Sequence, residues 1–151
     1  MALVHASCVA IGGTGVLLRG APGSGKSDLA FRLIDGGARL VADDQVDLRR
    51  DGRSLIATAP PRLHGLLEVR GLGIMRYPAA PEATLGLVVD LVLDDSVERL
   101  PEPTERAIEG VGLPGLSVAA FHSSSSALLC AAVAALRDDA MLVGAFAEDA
   151  P

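Results

Sequence analysis

The sequence predicts a single α/β domain, and three observations carry that prediction. Aliphatic, β-branched runs recur between glycine- and proline-rich breaks, as strands between turns do. One of those runs leads into a glycine loop and then into a helical pattern. Half the chain is apolar, yet it holds only three Phe, one Tyr and no Trp in 151 residues. A core of Val, Leu, Ile and Ala suits a sheet covered by helices. A chain of this length forms one domain and buries roughly two-thirds of the surface its unfolded form exposes.

The elements follow in order. Residues 4–11 are apolar and β-branched, and Gly12-Gly13 turns them back into a second strand over residues 16–19. From Lys26 the apolar positions Leu29, Ala30, Phe31, Leu33 and Ile34 share one helical face, and Gly36-Gly37 stops the helix. Residues 39–44 form a short buried strand ending in Asp43-Asp44. Because it follows the loop–helix unit, it is expected beside the strand that feeds the loop. Residues 45–48 and 54–57 read as a hairpin turning at Arg50-Asp51-Gly52. Ala59-Pro60-Pro61 breaks the chain. Residues 66–69 then run into the glycine-punctuated segment 70–75. Residues 85–93 make another aliphatic strand, and the stretch around Pro101, Pro103 and Pro114 reads as loop. Residues 123–136 form a closing helix with Ser123 or Ser124 as N-cap.

Composition excludes several function classes. A net charge of −6 does not suit a broad phosphate-backbone footprint, and so few aromatics leave no stacking platform for single-stranded nucleic acid. Arg49-Arg50-Asp51-Gly52-Arg53 is a solvated turn. No run reaches the ~18 apolar residues of a membrane span, and the N-terminus lacks a basic signal region. The expectation is a soluble cytoplasmic protein without membrane or nucleic-acid partners. Cys8 and Cys130 fit neither a disulfide framework nor a zinc site, and both sit in apolar runs, as buried free thiols do.

Gly20-Ala21-Pro22-Gly23-Ser24-Gly25-Lys26-Ser27 is a full match to the phosphate-loop pattern G-x-x-x-x-G-K-[ST]. Of thirteen basic residues Lys26 is the one lysine; a genome that favours Arg codons explains the scarcity of lysine but not its position. A slim ammonium on a flexible stem fits where a planar guanidinium would not. In this pattern glycine N–H groups and Lys26 bind the phosphates of a nucleoside triphosphate, and the Ser27 hydroxyl can ligate Mg2+.

Phosphoryl transfer to a hydroxyl also needs a carboxylate to take the proton. Two candidates compete. Asp43-Asp44 is a repelling pair directly after the loop–helix unit. Asp90 ends an aliphatic run, 85–90, as a Walker-B aspartate does, though Asp94-Asp95 end the same run. Glu68 and Arg70, either side of Val69, project to one strand face, as a metal-and-phosphate pair or an ordinary ion pair. His5 lies in an apolar strand, where a histidine is more often structural. His64 and His122 carry no assignment.

These segments together resemble the C-terminal kinase domain of the HPr kinase/phosphorylase family. The resemblance runs from His5 to about Tyr77. It rests on His5-Ala6-Ser7, the glycine loop, Arg39-Leu40-Val41-Ala42-Asp43-Asp44, and Glu68-Val69-Arg70-Gly71-Leu72-Gly73-Ile74 with Leu67 before it. It implies a phosphate-loop domain of the phosphoenolpyruvate carboxykinase type, a mixed sheet with flanking helices. It further implies ATP- and Mg2+-dependent phosphorylation of a serine on HPr, the phosphocarrier of the sugar phosphotransferase system. Carried over residue by residue, Lys26 and the loop hold ATP, and Ser27 and Glu68 hold Mg2+. An aspartate of the Asp43-Asp44 pair takes the seryl proton with His5 near enough to tune it, and Arg70 belongs to the catalytic loop. The family implies a hexamer. With no first domain, residues 1–151 resemble the short α-proteobacterial form. The family's Arg-Pro-Gly-Arg-Asn-like segment, tied to the reverse phosphorolysis, corresponds here to Phe121-His122-Ser123-Ser124-Ser125-Ser126, without an arginine. The reverse reaction is therefore expected to be weak or absent unless another residue supplies the charge. The competing readings are a phosphate-loop kinase of a small hydroxylated metabolite and a non-catalytic ATP-sensing module.

Overall fold

The computed structural model describes residues 2–102, 104–138 and 141. Strands β1 (Ala2–Val4), β2 (Ser7–Ile11) and β3 (Thr14–Arg19) precede helix α1 (Lys26–Asp35) and strand β4 (Arg39–Ala42). Strands β5 (Val46–Asp51), β6 (Ser54–Thr58), β7 (Leu66–Val69), β8 (Gly73–Arg76) and β9 (Ala83–Leu91) follow. The hairpin β10 (Thr104–Ile108) and β11 (Val111–Val118) leads to helix α2 (Ser125–Arg137). Nine strands make one mixed sheet in the order β1-β5-β6-β9-β3-β2-β4, with β11 added beside β9 and β10 beside β11; β7 and β8 form a separate ribbon. The parallel pairs are β3–β9 and β9–β11.

The period-2 alternation of the strands sorts their side chains onto two faces. Val16 and Leu18 of β3, Leu87 and Val89 of β9, and Leu116 and Val118 of β11 point to one. There they meet Leu29, Ala30 and Leu33 of α1, Leu129, Ala132 and Val133 of α2, and Leu67 and Val69 of β7. Leu17 and Val88 point to the other face, as does Leu85 across a register shift at Gly86, against Val46, Leu48, Leu55, Ala57, Ile108, Val111 and Leu113. Both helices therefore lie on one face, where flanking helices were expected. The sheet closes its second face by curling its own β5–β6 and β10–β11 hairpins over it.

Three expectations about strands are corrected. Residues 4–11 are two strands, because β1 leaves to pair with β5 while β2 pairs with β3 and β4, and the chain bends at His5-Ala6 to change neighbours. Strand β4 pairs with β2 and not with β3. The β2–β3 hairpin already occupies that edge of β3, so the crossover through α1 skips one strand, and β4 runs in the same direction as β3. Around Pro114 the chain is strand, paired with β10 (Pro114 faces Glu105). Pairing with β9 begins only at Gly115, so Pro114 sits where β11 has one neighbour, a position that tolerates a missing N–H. Pro101 is in an irregular segment as expected, and Pro103 lies outside the described residues.

Helix α1 ends in a Schellman motif, with the Ala38 N–H donating to the Leu33 carbonyl and the Gly37 N–H to that of Ile34. Helix α2 starts after Ser124, whose side chain caps nothing. Ser125 instead turns its hydroxyl to the Ala119 carbonyl. The far end of α2 is tied to the β2–β3 turn by Arg137, which donates to Thr14 and to the Gly12 carbonyl. Cys8 is buried, but Cys130 is exposed, because α2 is apolar all round and packs only one side. Among the described residues no helix is long and apolar enough to cross a membrane.

Candidate active site

Residues 20–25 link the end of β3 to the start of α1, and the Ser24 N–H closes a tight turn onto the Ala21 carbonyl at 3.0 Å. Gly25 is the N-cap of α1 at φ 99°, in the left-handed region that favours glycine, and no side chain caps the helix. A Cβ on Gly25 would also lie 2.9 Å from both the Ala120 Cβ and the Phe121 ring, so the loop packs directly on the turn after β11. The first-turn N–H groups and the positive end of the helix dipole are left to face an anion. The Lys26 Nζ reaches across the loop to donate to the carbonyls of Gly20 at 2.8 Å and Ala21 at 3.1 Å. The Ser24 hydroxyl is buried without a hydrogen-bond partner among the described residues. A Cβ on Gly20 would strike it at 2.4 Å. An orphaned hydroxyl, uncapped N–H groups and one ammonium are a donor set that fits phosphate oxygens.

Asp43 stands at the end of β4, only 6% exposed. Its carboxylate accepts hydrogen bonds from the Ser7 hydroxyl at 2.6 Å and the Ser27 hydroxyl at 2.8 Å and 3.0 Å. Among the described residues it forms no ion pair. Burying an ionised carboxylate is costly, and here neutral hydroxyls alone stabilise it. The next residue, Asp44, has φ 69°, and the Gln45 N–H bonds the Asp43 carbonyl at 2.8 Å. That is a γ-turn with positive φ at its centre, a strained conformation of the kind found at functional sites. The turn separates the two carboxylates: Asp43 points in, Asp44 lies exposed.

The other predicted residues are placed differently. His5 is exposed in the bend between β1 and β2 and makes no hydrogen bond to Asp43. Ser7, two residues on and fully buried, takes that contact. Sequence reasoning missed it; the signal available was its place in His5-Ala6-Ser7. Glu68 and Arg70 share the outer, exposed face of the β7 region as expected, while Leu67 and Val69 pack inward on α1. They form no ion pair with each other. No group of three or more His, Cys, Asp or Glu side chains is arranged to hold a metal among the described residues. Mg2+ held mainly by phosphate oxygens does not require such a cage.

Asp90, the rival carboxylate, is committed elsewhere. It accepts from Arg19 at 2.8 Å and 3.0 Å and from Arg106 at 2.9 Å. Burial alone would raise its pKa, but the hydrogen bonds and charges of both guanidinium groups outweigh burial and hold it below the usual carboxylate range. Arg19 is the last residue of β3, immediately before Gly20, so the cluster fixes the strand end from which the loop departs.

Beside the loop lies a cleft of ≈ 850 Å3, walled by residues 21–24, 91–94 and 119–122. The 119–122 turn is pinned to α1 by Arg32, which donates to the carbonyls of Ala120 and His122. His122 meets Asp94 across the cleft.

The fold is thus an α/β domain in which a glycine loop opens a helix beside a hydroxyl-held carboxylate. Residues 1–147 match the family described as the HPr Serine kinase C-terminal domain, and the chain belongs to that family. It is 39% identical to the HPr kinase/phosphorylase of Geobacillus thermodenitrificans over 76% of this chain and 41% of that protein. It is 52% identical to HPr kinase/phosphorylase 1 of Oceanobacillus iheyensis over 48% of this chain and 24% of that one. The chain thus spans well under half the length of these relatives. The structure of the Hpr(Ser) kinase/phosphatase from Coxiella burnetii matches with a TM-score of 0.81 and 27% identity over 93% of both chains.

Proposed function

We propose that this domain transfers the γ-phosphate of ATP to a serine of an HPr-type phosphocarrier. The observation that carries the reading is the Ser7–Asp43–Ser27 cluster at the mouth of the glycine loop. It brings a buried carboxylate, free of any cation in the described residues, beside a donor set suited to phosphate. Residues 20–27 act as the phosphate loop, and Lys26 with the α1 N-terminus neutralises the transferring group. Asp43 takes the seryl proton as the serine oxygen attacks, held in orientation by Ser7; general-base assistance of this kind is worth about 10²–10⁴-fold. The exposed Asp44 stays outside that step. Mg2+ would be held by Ser27 and Glu68 and would supply charge to the β- and γ-phosphate oxygens. Arg70, exposed on the same face as Glu68, faces the incoming carrier.

The turn at residues 121–126 contains no arginine, and Arg32, which reaches it from α1, is engaged with two carbonyls there. The reverse phosphorolysis is accordingly weak. Brisk pyrophosphate release from phospho-HPr and inorganic phosphate would contradict that. The domain works as a homo-oligomer, a hexamer by family resemblance, in the cytoplasm.

The test is to incubate the protein with ATP, Mg2+ and each of two carriers, HPr and a nitrogen-branch paralogue, and to locate phosphate by mass spectrometry. Phosphoserine on a carrier is the expected result. Transfer to a small hydroxylated metabolite with no carrier labelled, or ATP binding without any transfer, would overturn the reading.

A further inference from the structure

We propose that the cleft beside the glycine loop takes the nucleoside end of the triphosphate, and that the Phe121 ring is the platform on which the base stacks. The inference rests on the nucleotide reading above and goes further, by assigning the part of the ligand that the loop motif does not address.

The loop and the cleft are continuous. Residues 21–24 both form the anion-binding loop and wall the cleft, so a ligand with its phosphates in the loop must send its remaining atoms somewhere adjacent. A cavity of ≈ 850 Å3 is of the size that holds small ligands. Phe121 stands in the wall of the cleft. It is one of only three phenylalanines in the sequence, and it is 71% exposed at the cleft although this domain otherwise builds its core from aliphatic residues. Its edge rests against Gly25, at the distance where any side chain on that glycine would collide with it. The ring is thereby held beside the phosphate site while most of its surface stays open, as a stacking platform requires.

The wall is also held in place. The turn carrying Phe121 is fastened from three directions: Arg32 to the carbonyls of Ala120 and His122, Ser125 to that of Ala119, and His122 to Asp94. Such a wall costs little further ordering when a ligand binds. Leu91, Val92 and Leu93 add further apolar surface to the cleft. Arg32 is then a positioning residue, since it touches the turn and not the ligand.

The test compares two probes that share phosphates and differ in the nucleoside: Mg2+–ATP and Mg2+–tripolyphosphate, with Kd measured by calorimetry. In the wild type ATP binds more tightly. Phe121→Ala should weaken ATP about ten-fold, as loss of one base–aromatic stack does, and leave tripolyphosphate within about two-fold. Phe121→Tyr should restore ATP binding. Because Phe121 is exposed, neither change opens a cavity in the core. Equal effects of Phe121→Ala on both probes, or none on either, would overturn the inference. Lys26→Ala reports separately on the underlying reading: it should weaken both probes together, and an unchanged Kd for both would show that the loop is not the phosphate site.

Discussion

Two strand ends in this sheet each present a partly or wholly buried aspartate, and they have been given opposite surroundings. Asp43 at the end of β4 is held by two hydroxyls. Asp90 at the end of β9 is held by two guanidinium groups. A carboxylate that accepts only from hydroxyls has no counter-charge beside it among the described residues. One clasped between Arg19 and Arg106 has its charge cancelled where it stands. Carboxylates of equal rank in the sequence thus separate by partner, one held by hydroxyls and the other clasped by arginines. The difference is physical: hydroxyl donors orient a carboxylate, whereas arginines both orient and neutralise it.

The largest expected effect falls on the hydroxyl-held side. Asp43→Asn should lower phosphate transfer about 10²–10⁴-fold while ATP binding persists, read by single-turnover transfer and calorimetry. Asp44→Asn, in the exposed half of the γ-turn, should lose far less.

Ser7 comes next. Ser7→Ala removes one of the two donors to Asp43 and should reduce kcat roughly ten-fold with KM for ATP unchanged, within the range of hydrogen bonds to charged groups. Ser7→Thr, which keeps the hydroxyl, should recover most of it. A fall in both variants alike would mean that packing, and not orientation of the carboxylate, is at stake.

Breaking the other end should act on stability. Asp90→Asn should cost about 1–2 kcal/mol, a Tm lowered by a few degrees, since the three side chains are partly solvated and their charges partly screened. The sign of the pH dependence follows from the lowered pKa of Asp90. Its stabilisation is complete above the ordinary carboxylate range, near 4, and is lost as pH falls through the lower folded value. The gap in Tm between wild type and Asp90→Asn should therefore be constant around neutrality and close in strong acid. A gap that widens on acidification would remove the ion-pair account.

The smallest effect is chemical and concerns the two thiols. Burial pushes the Cys8 thiol up to about 12, while Cys130 is exposed. A maleimide at neutral pH should label Cys130 and leave Cys8 unmodified until the protein unfolds.

Much of this was legible in the sequence, and the parts that were not share a cause. The glycine loop, α1 with its Gly36-Gly37 stop, the strand ending at Asp43 and the β5–β6 hairpin all follow from local patterns of a few residues. The β10–β11 hairpin was hidden because prolines mask strand alternation, and Pro114 is tolerated only for want of a second neighbour strand. The unequal fates of Asp43 and Asp44 depend on one positive φ angle. The partners of the two aspartates come from far along the chain: Ser7 from 36 residues before Asp43, and Arg19 from 71 before Asp90. Such pairings exist only once β2, β3, β4 and β9 have been laid side by side. The same holds for Cys130, whose apolar neighbours in sequence gave no sign of which side of α2 packs.

The measurement that bears most directly on the contrast is a paired one: Asp43→Asn and Asp90→Asn, each assayed for Mg2+–ATP affinity and for phosphate transfer to the carrier well below either Tm. Both variants should bind ATP, Asp43→Asn should lose transfer, and Asp90→Asn should keep it within a few-fold. Transfer that survives in Asp43→Asn and disappears in Asp90→Asn would contradict that contrast.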